Sequence, residues 1–254
     1  MSFAGNGNWV ASQDYQKALS KNLGSLQCKL GRVSLSSGSR RNDRSGIDLL
    51  RSAACEGSAE AMYELGKCYD EGHGVEVDHA AAVRWYEAAS RHGHTKAINT
   101  LGWCYAKGFG VKKDEAASVQ LFLRAAQHQI PEAQYNLAVC YARGRGVAQD
   151  SARAIDLYVK AAKQGHTAAM CNLAISLQSG NGCAADPRAA LYWLQAASDA
   201  GSVKGRRLLA RSHFLGIGTP RDEKAAARIL GADVWRLGTA SAVDEELCLE
   251  ASAK

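Results

Sequence analysis

Proline is scarce in this chain, three residues in 254, and no apolar run approaches the roughly 20 residues that a membrane-crossing helix needs. So few prolines beside 25 glycines exclude a collagen-like chain. A composition of 46% hydrophobic and 22% charged residues argues against a largely disordered one. Eight cysteines are too thinly spread for a disulfide scaffold. Residues Met1–Ser12 lack the basic start and apolar stretch of a signal peptide, so the expectation is a cytoplasmic protein with no membrane span. Catalytic signatures are missing as well: no Gly-x-Ser-x-Gly, no phosphate loop, no Ser-x-x-Lys, and no Cys-x-x-Cys or paired histidines spaced for zinc. The chain is therefore read as non-catalytic, with no metal, cofactor or small-molecule substrate.

What the chain does have is a formal charge of +6 and a repeat. The charge is uneven: residues 1–44 hold seven Lys/Arg against two Asp, whereas residues 45–235 hold 22 against 19 and residues 236–254 two against four. The repeat has a period of 36. Leu65, Leu101, Leu137, Leu173 and Leu209 are equally spaced without an insertion, and a small residue follows each: Gly66, Gly102, Ala138, Ala174, Ala210. Gly-x-Gly pairs recur in phase at Gly72/Gly74, Gly108/Gly110, Gly144/Gly146, Gly180/Gly182 and Gly216/Gly218, each followed by an aspartate: Asp78, Asp114, Asp150, Asp186, Asp222.

These landmarks describe two helices. Ala61, Leu65 and Tyr69, four apart, make one stripe of a helix A, and the small residue after the leucine admits a close neighbour. Glycine after the last turn supplies the left-handed cap, and each aspartate suits the N-cap of a helix B. Two helices of about 13 residues with short connections fill the period. Such a pair cannot bury its stripe alone and must stack on its neighbours. The expectation is an all-α, right-handed α/α solenoid of about five helix pairs over residues 45–235, uninterrupted in phase. It is flanked by a degenerate N-terminal unit and a C-terminal cap. Ile47–Glu56 matches a helix B, with a poorly registered helix A between Asp14 and Leu30 and a flexible link over Ser34–Ser45. Residues 1–44 form a basic, partly disordered arm, and 236–254 a tail in which Val243–Leu249 would cap the array.

The segment Leu101-Gly102-Trp103-Cys104-Tyr105-Ala106-Lys107-Gly108-Phe109-Gly110-Val111, followed by Asp114 and Ala125-Ala126, resembles the Sel-1-like repeat, a branch of the tetratricopeptide superfamily. The fourth and fifth units depart from it: Gly182-Cys183 and Gly218-Thr219 replace Gly-Val, and Leu177 and His213 replace the tyrosine. The resemblance implies an adaptor or scaffold, or a regulatory subunit of an enzyme complex. A cysteine-rich subgroup carries one disulfide per repeat, but Met62 stands where Cys55 would need its partner, so the likeness to that subgroup fails. Cys68, Cys104 and Cys140 share one repeat position and read as small buried hydrophobes. His94 and His166, just after a helix B, read as local hydrogen-bonding or packing residues.

The resemblance also implies that helix A lines a concave groove. Positions two before and two after the landmark leucine point about 160° and 200° from it, away from the stacked core. The first row reads Tyr63, Asn99, Tyr135, Cys171, Arg207 and the second Lys67, Trp103, Val139, Ile175, Arg211, with Thr100, Asn136 and Asn172 between. This predicts a groove for a segment of a partner protein. Tyr63, Trp103 and Tyr135 would be aromatic anchors, Asn99, Asn136 and Asn172 amide contacts, Val139 and Ile175 apolar floor, and Lys67, Arg207 and Arg211 basic contacts. The competing expectation puts a nucleic acid or an acidic membrane on the basic arm at Arg40, Arg41 and Arg44. Nucleic acid ranks behind protein as a partner, and mitochondrial targeting by the arm ranks behind a cytoplasmic location, given Asp14 and the lack of a continuous amphipathic arginine pattern.

Overall fold

The repeat becomes a regular succession of helices. A computed structural model of the chain describes Gly24, residues 27–29 and residues 40–231. Residues 40–231 form eleven helices and no strand: α1 Arg40–Cys55, α2 Ala59–Glu71, α3 His79–Arg91, α4 Thr95–Lys107, α5 Glu115–Gln127, α6 Pro131–Arg143, α7 Ser151–Lys163, α8 Thr167–Ser179, α9 Pro187–Asp199, α10 Val203–Leu215 and α11 Glu223–Leu230. The even-numbered helices are the expected helices A. The odd-numbered ones from α3 onward are the helices B.

The chain divides into two compact units, Met1–His128 and Gln129–Lys254. The first contains α1–α5 and the second α6–α11, and within each unit consecutive helices pack on one another. In the first unit, Ile47, Leu50, Ala53, Ala61, Met62, Leu65, Ala89 and Ala97 form one buried cluster, which Cys28 joins. In the second, Ala174, Ala190, Leu194 and Leu209 form another, flanked by Leu177, Trp193 and Ile229. Burial follows the leucine phase, as an apolar stripe requires.

Local chemistry sets the ends of the helices. Asp78, Asp114, Asp150, Asp186 and Asp222 each accept the backbone N–H three residues on, at 2.8–3.0 Å, and so cap helices B. Gly72, Gly108, Gly144, Gly180 and Gly216 close helices A in the left-handed region, with φ between 64° and 76°. The aspartate N–H then donates back to the last turn of helix A, Asp78 to Tyr69 O at 2.9 Å and Asp186 to Leu177 O at 2.8 Å. That link runs through the backbone. It explains why the side chain at this position drifts from tyrosine to Leu177 and His213 without altering the turn.

Close approach accounts for the small residues. A Cβ on Gly102 would stand 2.8 Å from the Phe122 ring, so α4 and α5 meet over bare backbone. At Gly110, Gly182 and Gly218 the second glycine of the turn has a different neighbour. A Cβ on Gly110 would overlap the carbonyl of His79, and one on Gly182 would lie 2.6 Å from the Ser151 carbonyl carbon. Each such turn rests on the first residue of helix B in the preceding repeat.

At the N-terminal side α1 begins at Arg40, inside the stretch expected as a link, because the apolar stripe of Ile47, Leu50 and Ala53 anchors a helix that extends back from it. Residues 27–29 are helical, and Gln27 Nε2 donates to Ser52 Oγ at 3.4 Å. The rest of the expected Asp14–Leu30 helix and the Val243–Leu249 cap lie outside the described residues.

Candidate functional site

The helix-A face is considered in each unit separately. In the first unit, α2 and α4 carry Tyr63, Lys67, Asn99 and Trp103. Tyr63 is half-buried: its ring stacks on His94 with centroids 4.6 Å apart and meets Tyr86 at 5.8 Å. Lys67 donates to Glu64 at 3.4 Å, and Asn99 is half-buried. Trp103 is 39% exposed. Its ring lies 5.4 Å from Phe109 of the Gly-x-Gly turn, and Phe109 in turn lies 4.2 Å from His79. Asp70 holds that imidazole, Nδ1 to Oδ1, at 2.8 Å.

In the second unit the face is built by α6, α8 and α10. Tyr135 stacks on His166 at 4.6 Å and meets Tyr158 at 6.0 Å, while Asn136 and Val139 are half-buried. Asn172 Nδ2 donates to Tyr158 Oη at 3.3 Å. Ile175 is 42% exposed, and Arg207 and Arg211 are exposed on α10. One position breaks the expected row. Cys171 was expected to face away from the core but is fully buried, because Ser202 at the start of α10 closes over it, Sγ to Oγ 3.9 Å.

The tyrosines touch residues that the sequence reading left without a definite task. His94 and His166 are N-caps: Nδ1 of each accepts the backbone N–H of Ala97 and Ala169 at 3.1 Å. With Nδ1 accepting, the proton of the neutral ring sits on Nε2, and in His94 it faces Glu60 Oε2 at 2.8 Å. The signal was present in the phase, since Ser58 and Ser202 hold the same repeat position and cap α2 and α10 in the same way. Burial lowers the pKa of His166 below the ordinary histidine value.

The thiols along this core are unreactive by their surroundings. Burial, with the charge of Asp70 second, pushes Cys104 up to about 11, and burial also raises Cys171, so both stay protonated near neutral pH. Among the described residues no cluster of three or more His, Cys, Asp or Glu is placed to hold a metal, and no helix is long and apolar enough to cross a membrane. What the face offers is contact area: exposed apolar side chains, amides and guanidinium groups on adjacent helices.

The family model for the Sel1 repeat matches residues 25–58, 59–94, 95–129, 131–166, 167–202 and 204–230. Its boundaries coincide with the helix pairs, and its first match covers the degenerate unit. Nothing among curated proteins matches the chain. Among solved structures it is similar to a protective antigen of uropathogenic Escherichia coli strains displaying an SLR fold, with 31% identity and a TM-score of 0.79 over 89% of this chain and 48% of that one. The chain thus spans about half the length of that antigen. It is also similar to a Sel1 repeat protein from Oxalobacter formigenes, with 27% identity and a TM-score of 0.75 over 86% of each chain. The chain belongs to the Sel1 repeat family, a non-catalytic repeat fold that generally serves as a protein-interaction scaffold.

Proposed function

We propose that this protein is an adaptor that holds a segment of a partner protein against its helix-A face, and that it works in the cytoplasm. The supporting observation is the exposure of Trp103 and Ile175, large apolar side chains that share one repeat position opposite the buried leucine stripe. Apolar residues held toward water on a face that the repeat does not need for its own core are contact points for another chain. The surroundings suit a peptide: in the second unit half-buried amides at Asn136 and Asn172 share the helix-A face with Val139 and exposed Ile175, and in the first Asn99 shares it with exposed Trp103. Tyr63 and Tyr135 contribute the edges of rings whose faces already stack on the capping histidines. Buried thiols at Cys68, Cys104 and Cys140 suit a reducing compartment.

Photo-crosslinking tests this reading. A photoreactive residue placed at 103 or 175 is expected to trap a partner in cell extract, and the same residue at the exposed helix-B positions 84 or 192 is not. Equal trapping from all four positions refutes the proposal. Binding that survives substitution at these positions but disappears when residues 1–44 are removed would transfer the activity to the basic arm.

A further inference from the structure

The second unit gives its helix-A face a charge of one sign along one side, and this bears on what lies there. α10, Val-Lys-Gly-Arg-Arg-Leu-Leu-Ala-Arg-Ser-His-Phe-Leu, contains no carboxylate. On a helical wheel with Leu209 at zero, Lys204, Arg207 and Arg211 fall at about 220°, 160° and 200°, one narrow stripe opposite the core. All three are exposed, and among the described residues none has a carboxylate within ion-pair distance. Exposed cations elsewhere are of both kinds: Lys113 meets Glu115 at 2.7 Å, Arg153 meets Asp150 at 3.2 Å and Arg221 meets Glu223 at 2.6 Å, whereas Lys107, Lys160 and Arg188 form no ion pair among the described residues. On α10 three cations of the second kind share one stripe.

The neighbour of this stripe is uncharged. α8, Thr-Ala-Ala-Met-Cys-Asn-Leu-Ala-Ile-Ser-Leu-Gln-Ser, carries no ionisable group except its buried thiol, and it presents Ile175 to solvent. The two helices lie side by side, tied by Gln178 Nε2 donating to Ser212 Oγ at 3.1 Å and by Cys171 against Ser202. An uncharged helix that exposes Ile175 therefore runs beside a row of three cations with no carboxylate partner among the described residues. Beyond it, α6 adds Val139, the edge of Tyr135 and one charge of each sign on that side, Glu132 and Arg143.

We infer that the second unit selects an acidic, aliphatic segment of a partner protein: Asp or Glu side chains against Lys204, Arg207 and Arg211, and Leu, Ile or Val side chains on Ile175 and Val139. The inference rests on the groove reading above and adds the chemistry of the occupant. Three like charges on one stripe repel basic segments as strongly as they attract acidic ones, so they act on selectivity and on the rate of encounter. Arginine supports this role, because its planar fork can bind a carboxylate through two parallel hydrogen bonds.

The test uses the full chain and a displayed library of random twelve-residue peptides, followed by fluorescence anisotropy with one selected, labelled peptide. Selected sequences should be rich in Asp/Glu with Leu, Ile or Val and poor in Lys/Arg. The double variant Arg207→Glu/Arg211→Glu should weaken the labelled peptide by roughly tenfold or more, Arg207→Gln/Arg211→Gln by less, and added salt should weaken it steadily. Circular dichroism should be unchanged in both variants, since neither arginine is buried. Neutral or basic peptides that lose binding on Ile175→Asp but not on charge reversal would keep the groove and overturn the acidic preference. Binding indifferent to all these substitutions, or a library without binders, would overturn both readings. Two other outcomes also refute the inference. Self-association that charge reversal abolishes would put a second copy of the chain on this face, and peptide binding that appears only after removal of residues 236–254 would put the acidic tail there.

Discussion

Three glycines of the second unit share a left-handed backbone but differ in what surrounds them, and substituting each with alanine separates two costs. Gly165 has φ of 88° and nothing within 4 Å of a built Cβ. Gly180 has φ of 69° and only ordinary contacts, the nearest with Ala185 at 3.5 Å, whereas Gly182 has φ of 82° and would press its Cβ to 2.6 Å from Ser151 backbone. Holding alanine in the left-handed region costs about 1–2 kcal/mol, so Gly165→Ala and Gly180→Ala should each lose about that much. At Gly182 an overpacking cost of about 1–3 kcal/mol is added, because the obstructing atoms are backbone and cannot rotate away. The expected total is about 2–5 kcal/mol. Urea unfolding measures the difference. Hydrogen exchange locates it: the loss at Gly182 should open amides on both sides of the contact, at the start of α7 and in the turn where the Asp186 N–H donates to Leu177 O. If Gly182→Ala is no more destabilising than Gly165→Ala, the turn does not rest on the preceding repeat as described.

The same reasoning runs in reverse at Gln129, the one described non-glycine residue with positive φ, 58°, in the position that Gly57, Gly93, Gly165 and Gly201 hold elsewhere. Gln129→Gly should raise stability by up to about 1 kcal/mol in thermal or urea unfolding. For His166, burial disfavours the charged ring, so the folded pKa lies below the unfolded one and the unfolded state takes up protons first. Stability from this group is complete above the ordinary histidine value near 6.5 and declines as pH falls through it toward the lower folded value; His166→Ser, which retains a capping oxygen, should flatten that part of the pH–stability profile. Thiol labelling under native conditions should modify exposed Cys55 quickly and leave Cys104 unmodified until the protein unfolds, as mass spectrometry of the labelled peptides would show.

The order of helices was readable because each signal is local. Leucine phase, glycine cap and aspartate cap all act within a few residues of the positions that show them. The helix-A wheel likewise predicts which residues stand opposite the leucine, and Trp103, Ile175, Arg207 and Arg211 are exposed. Features that depend on the next repeat were not readable in this way. Cys171 has the wheel angle of Arg207, yet Ser202 of the following helix covers it. The stacking of Tyr63 on His94 and Tyr135 on His166 joins residues 31 positions apart, and no helical periodicity reports such a pair. The second glycine of the turn had an apparent role as punctuation, and at Gly110, Gly182 and Gly218 only its approach to the preceding helix B shows why a side chain is excluded there.

That approach limits how the chain can change its length. A turn whose glycine meets the first residue of the preceding helix B tolerates neither a residue added to the connection nor one removed, since either would carry the glycine off its seat and bring a Cβ against the backbone. Within the two units the repeat is therefore quantised. Length can be gained or lost only in whole steps of 36 residues, and each new step brings its own helix-A surface, free to take a sequence unlike its neighbours'. The rigid seam between repeats leaves the face open to variation: unrelated side chains such as Lys67, Trp103, Ile175 and Arg211 hold one position without disturbing the stack.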